Sequence, residues 1–260
     1  AGPVLDPIVS IRQTVFLKPN ESVVIDIITG VAPSRAGVDG LTGKYADPSM
    51  TDRVFDLAWT HSHVLLQQLG ASEADAQMYG RLAGSILYTS ALRRARASVL
   101  GRNRHGQSRL WGYGISGDLP IVLVRIQDHE RLSLVRDALT AHSYWRQKGL
   151  AVDLVVWNED DSVYRQDLQQ AIVDLAAASP EAALIDRPGG IFVRRGEQMS
   201  EEDRTLLQTV ARVVLLDDAG TLAEQVERRG PAELAMPRFE PIRRIDPEVP
   251  AETPRRELAY

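Results

Sequence analysis

Hydrophobic period alternates repeatedly in the second half of the chain, and that alternation constrains the fold more than any other feature. Short β-branched runs at 120–126, 152–157 and 213–216 take turns with helical patterns at 129–147, 162–178, 201–211 and 221–228. Near-continuous apolar strands need cover on both faces, and a parallel pair needs a crossover of a dozen or more residues. The pattern predicts a small mixed α/β sheet, with strands 120–126 and 152–157 parallel neighbours joined by the helix at 129–147. Ala183-Leu184-Ile185 and Ile191-Phe192-Val193 flank Pro188-Gly189-Gly190, which reads as a hairpin.

The first half has a different grammar. Residues 1–32 alternate like strands, with turn chemistry at Lys18-Pro19-Asn20-Glu21 and the run Val23-Val24-Ile25-Asp26-Ile27-Ile28 after it. Because the chain begins almost inside the first strand, it reads as a piece of a longer protein. Ala36 to Gly43 holds three glycines and predicts a loop or a poor helix. From Thr51 the period becomes 3.6. Val54, Ala58, His61, Leu65 and Leu69 share one face, and Gly70 supplies a stop. Ser72 caps a second helix with Asp75 in the capping-box position; Ala76, Tyr79, Ala83, Ile86 and Leu87 form its stripe, which should run to about Leu100. Together these predict an antiparallel helical pair. The tail from Pro231 holds six of the 14 prolines and reads as an extended linker or strap.

Composition removes several function classes. With no cysteine there is no disulfide framework, thiolate zinc site or cysteine nucleophile. A net charge of −5 argues against a general nucleic-acid binder. The longest apolar runs fall far short of the roughly 20 residues that span a bilayer, and no signal peptide is visible at the first residues.

Five constellations bear on chemistry. His61 and His63, two apart on a helix, point about 200° apart, so a core or boundary histidine is the better reading than a metal pair. The glycines of Gly112-Tyr113-Gly114-Ile115-Ser116-Gly117 precede a strand, whereas phosphate loops follow one, and Ser116 is not in a nucleophile elbow. Six arginines and no acid lie between Arg93 and Arg109. They could hold a phosphate, but a helix C-terminus followed by an exposed loop accounts for Arg93, Arg94 and Arg96. Asn158-Glu159-Asp160-Asp161 sits past the second strand, where parallel sheets gather ligands, though a solvated loop with an N-cap is the better reading. Arg109, Trp111, Tyr113 and Asp118 combine a stacking face with groups that grip hydroxyls, against the simpler reading of a packed Trp111. No catalytic dyad or triad is complete, and no metal or cofactor is expected.

At residues 109–126, RLWGYGISGDLPIVLVRI resembles a signature of the cyclic β-1,2-glucan synthases and the related inverting glycoside phosphorylases. Three further stretches resemble the same family in the same order: GPVLDPIVSIRQTVFLKPNESV, LVRDALTAHSYWRQKGLAVDLVVWNED, and LIDRPGGIFVRR followed by ARVVL. The resemblance implies a very large bacterial inner-membrane enzyme. One part elongates a β-1,2-glucan from UDP-glucose, and a phosphorylase-like part trims it. That part's catalytic residues sit in a helical barrel, for which nothing here is long or helical enough. The nucleotide-sugar transferase part, with its acidic metal motif, has no counterpart here either, so no catalytic residue carries over. The glycines between Gly37 and Gly43 depart from the stronger helix formers the family leads one to expect.

The expected architecture is therefore α+β: a β-strand segment at 1–35 ending a β-sandwich, a helical linker at 36–108, an α/β domain at 109–230 and a proline-rich tail at 231–260. The expected role is a non-catalytic scaffold of such a synthase at the cytoplasmic face of the inner membrane, partnered by the parent enzyme's other domains, with Arg109, Trp111, Tyr113 and Asp118 the candidate residues for a glucan contact. The alternatives are a self-contained α/β enzyme working at 158–161 and an anion or nucleic-acid binder using Arg93 to Arg109.

Overall fold

A computed structural model describes residues 10–160 and 165–228; the predicted proline-rich tail lies outside them. The chain divides into two compact units between Ala76 and Gln77.

The first unit opens without a hydrogen-bonded strand among its described residues. The turn at Lys18–Glu21 forms as expected, with Asn20 at φ 65° and the Glu21 N–H on the Lys18 carbonyl at 3.0 Å. The strand-like runs around it find no ladder partner among the described residues, and Phe16 is 89% exposed and Ile27 84%. Two strands alone are marginal in water, and a ladder needs more chain to close on. The glycine-rich stretch is helical: α1 spans Arg35–Tyr45, capped by Ser34, whose Oγ accepts from Gly37 N–H. Helix α2 (Pro48–Leu69) is capped by Asp47 and stopped by Gly70 at φ 62°, which a residue with a Cβ would adopt only under strain. Its predicted stripe is buried only at Leu65 and half-buried at Leu69; His61 is exposed, correcting the core reading.

Helix α3 (Glu73–Leu87) opens on the predicted capping box. Asp75 N–H reaches Ser72 Oγ at 3.2 Å and Ser72 N–H reaches Asp75 Oδ2 at 2.8 Å, so aspartate does the work usually given to glutamate. It stops at Leu87, well before Leu100; Leu82 is buried where Leu87 was expected to be. A loop and a single turn, α4 (Ala97–Leu100), take up the remainder.

The second unit is built on a four-stranded parallel sheet. Its strands are β1 (Ile121–Ile126), β2 (Asp153–Asn158), β3 (Ile191–Arg195) and β4 (Val213–Leu216), in the order β3-β2-β1-β4. β1 pairs parallel with β2, Leu123 opposite Val155, and α5 (Leu132–Gln147) connects them. α6 (Arg165–Ala177) leads from β2 toward β3, and α7 (Glu201–Val210) leads across to β4, which α8 (Leu222–Glu227) follows. Leu123, Val155, Trp157 and Phe192 pack with Leu206 and Leu207 of α7 and with Leu110 and Ile115. By the two-residue alternation of strands, Val122, Val124, Leu154 and Val156 face the other way, and all four are buried.

The predicted hairpin does not form. Ala182–Leu184 is a single 3₁₀ turn, Ile185 makes one isolated bridge to Ile191, and β3 gives its ladder to β2. The turn at Gly189 is real, at φ 74°, but buried Asp153 claims it: Oδ1 accepts the Gly189 N–H at 2.7 Å. Burial raises the Asp153 carboxyl above its usual range, an effect opposed by that hydrogen bond. Paired on β2, β3 joins a four-stranded ladder buried on both faces, which a two-stranded hairpin could not match.

Candidate functional site

The 3₁₀ helix Gln107–Tyr113 delivers Arg109, Trp111 and Tyr113 one after another. Three residues per turn should put Arg109 and Tyr113 on different sides of Trp111. Both reach the same group. Arg109 Nε and Nη2 donate to the two oxygens of Asp203 at 2.5 and 3.2 Å, and Tyr113 Oη donates to Oδ2 at 2.8 Å. Asp203 is the third residue of α7; its N–H meets Ser200 Oγ at 3.2 Å, and that hydroxyl donates back to Oδ2 at 2.8 Å. The Arg109 guanidinium, above all, holds the Asp203 carboxyl down to about 2, while burial and the shared carboxylate raise the Tyr113 phenol. Arg109 and Tyr113 are thus a clip between this helix and α7, already committed to a protein partner.

Trp111 is free of that clip. Its ring is 64% exposed, and its indole N–H donates to Ser116 O at 3.2 Å, which limits its rotation. Beside it Gln107 Nε2 bridges Ser116 O and Asp118 Oδ1 at 2.8 and 2.9 Å. Of the four residues expected to meet sugar, Trp111 and Asp118 lie on one exposed rim and Arg109 and Tyr113 turn toward Asp203. The arrangement offers a ring face and a carboxylate edge. It contains no nucleophile paired with a base.

The second expected site, at the carboxyl end of β2, exists as a cleft of about 330 Å³. Asp161 lies outside the described residues. Asn158 turns inward to Gln169 at 3.1 Å, and its Oδ1 caps the Asp160 N–H at 2.9 Å. Glu159 is taken by Arg125, whose Nε and Nη2 meet its two oxygens at 2.9 Å each. The guanidinium lies over the buried Trp157 ring at 5.2 Å and also donates to Gln208. Arg125 was not singled out in the sequence; a charge ending a buried strand was the available clue. Of the carboxylates at this cleft, Glu159 is paired with Arg125 and Glu197 lies 4.0 Å from Arg195.

Two of the histidines have partners within the protein. His63 stacks on Trp59 with centroids 4.0 Å apart and pairs with Glu73 at 3.3 Å. His142 is buried, donates to the Val152 carbonyl at 2.9 Å, and is pushed below the ordinary histidine range by burial. Among the described residues no group of three histidine, aspartate or glutamate side chains could hold an ion.

The arginine run also differs from its local reading. With α3 ended at Leu87, Arg93 and Arg94 cap other helices: Arg93 donates to the Gln225 and Val226 carbonyls of α8, and Arg94 to the Thr209 carbonyl of α7 at 2.9 Å. The Arg93 carbonyl in turn accepts the Val214 N–H at 2.7 Å, so this loop covers the outer edge of β4.

Residues 1–48 match the family described as glycosyl hydrolase 94, supersandwich domain. Over 228 residues, 87% of the chain, the sequence is 35% identical to the cyclic beta-(1,2)-glucan synthase NdvB of Rhizobium meliloti (strain 1021). The chain spans 8% of that protein's length. It is therefore related to one segment of a cyclic β-1,2-glucan synthase, as its four resembling stretches indicated.

Proposed function

We propose that the chain is a non-catalytic segment of a cyclic β-1,2-glucan synthase, holding neighbouring domains of that enzyme and offering glucan a weak contact at Trp111. In this reading the parent enzyme works at the cytoplasmic face of the bacterial inner membrane; among the described residues no helix is long and apolar enough to cross it. The exposed apolar side chains of residues 10–33 are the surface that the remaining strands of a supersandwich would cover.

The observation that carries the glucan contact is the 64% exposure of Trp111. A ring with a free face and a tethered N–H is a ready platform for the apolar face of a sugar, with the Asp118 carboxylate at its edge to accept from hydroxyls. One such contact contributes only about 1 kcal/mol. Even a few together, roughly 4 kcal/mol, give a millimolar complex. Fluorescence or NMR titration with β-1,2-glucan should show saturable perturbation of Trp111 at millimolar sugar, abolished in Trp111→Ala. A flat titration would remove the glucan contact and leave the scaffold role. The purified chain should neither phosphorolyse β-1,2-glucan nor transfer glucose from UDP-glucose, and turnover sensitive to mutation within it would refute the non-catalytic reading.

A further inference from the structure

Five arginines line one cavity at the outer end of the sheet. It encloses about 370 Å³ and is bordered by Arg93, Arg94, Arg96, Arg125 and Arg228, with Leu92, Val99 and Val214 as an apolar wall. No carboxylate is among the described residues that line it. Arg125 is neutralised by Glu159 from outside the cavity, but the other four have no acid partner among the described residues. Arg93 and Arg94 are anchored by helix carbonyls, which position a cation without cancelling its charge, and the Nε atoms of both are buried with no hydrogen-bond partner. Burial lowers the pKa of Arg93, as expected for a partly desolvated cation without a counter-charge. Arg96 and Arg228 are exposed at the rim, and their side chains make no hydrogen bond or ion pair among the described residues.

The location agrees with the charge. The chain leaves β1 toward β2 and β3, then returns to place β4 on the other side of β1. That reversal is where open parallel sheets bind ligands, outside the carboxyl ends of the strands. Arg125 of β1 and Leu216, which ends β4, both border the cavity. Between these strand ends the Asp217 carboxylate accepts the N–H groups of Gln127 and Asp128 at 2.7 and 2.9 Å, so the backbone donors are used and recognition is left to the arginines.

We propose that this cavity is a binding site for a small phosphate-bearing anion, held by Arg96 and Arg228 at the rim and by the anchored Arg93 and Arg94 within. Guanidinium forks match phosphate oxygens two at a time, and the volume lies in the range of small-ligand sites. Helix capping explains two of the five arginines; it does not explain the two rim arginines or the missing acid. The site shares no residue with the Trp111 rim and stands independently of the glucan reading.

Calorimetric titration of the full chain at low ionic strength, with pyrophosphate and with phenyl phosphate as separate probes, is the test. The expected result is one site with a Kd below about 1 mM. Arg96→Gln and Arg228→Gln should each weaken it about tenfold, as loss of a charged hydrogen bond does, and added salt should weaken it further. Arg136→Gln, an exposed arginine of α5 outside the cavity, should leave it unchanged. Tighter pyrophosphate marks an inorganic ligand and tighter phenyl phosphate an organic ester using the apolar wall; both uphold the site. No binding of either probe at about 10 mM, or equal binding by the Arg96→Gln/Arg228→Gln double variant, overturns it. A Trp111→Ala chain should still bind pyrophosphate, which separates failure here from failure of the glucan contact.

Discussion

Asp203 shows how much one side chain can organise. It accepts from Arg109, Tyr113 and Ser200 while nearly buried, so its charge is compensated three ways. Asp203→Asn keeps the shape and removes the charge, and should cost about 2 kcal/mol at neutral pH, measured by urea unfolding. The pH dependence has a definite sign. The carboxyl is held at about 2 in the folded chain, below its ordinary 3.8, so its contribution is complete above that value. It is lost as pH falls toward 2, and the gap between wild type and Asp203→Asn should close over the same interval. Arg109 and Tyr113 stood out in the sequence as polar groups beside a tryptophan. Their commitment to a residue 94 and 90 positions later was not legible, because an ion pair across a core leaves no local pattern.

Among the elements, caps and stops were the most legible and the partners of strands the least. Ser72 with Asp75 and Ser200 with Asp203 both open helices as their spacing predicts, since a cap is settled within three residues. The segment 183–193 misled because a Pro-Gly-Gly turn between two apolar triplets satisfies every local rule for a hairpin. What decides is the pairing of β3 along β2, at a close approach that only glycine allows: a Cβ at Gly190 would stand 1.9 Å from the Leu184 carbonyl oxygen. Gly190→Ala should therefore destabilise the second unit by more than about 3 kcal/mol, read from its denaturation midpoint. Gly40→Ala, on α1 with nothing within 4 Å of the new methyl, should be neutral or stabilising by up to about 1 kcal/mol.

For the whole molecule, protection should follow burial and pairing. The central strand β1 is flanked by β2 and β4 and buried at Val122, Leu123 and Val124. Its amides should exchange with deuterium only on global unfolding, whereas residues 10–33, with no ladder and exposed apolar side chains, should exchange fastest. Strong protection across 10–33 in the isolated chain would show those strands paired after all.

The sequence by itself determined where period changes, where helices start, and that two parallel strands straddle a helix, because each follows from interactions spanning a few residues. It also marked Trp111 as the ring to watch and tied the chain to a family through four ordered stretches. Tertiary structure alone decided that β3 lies beside β2, that α3 ends at Leu87, and that Arg93 and Arg94 cap α8 and α7. It alone set five arginines around one cavity and sent Asp217 to the strand ends. These are competitions between distant groups for the same ladder, carbonyl or counter-charge, and their outcome depends on which groups packing has brought within about 3 Å.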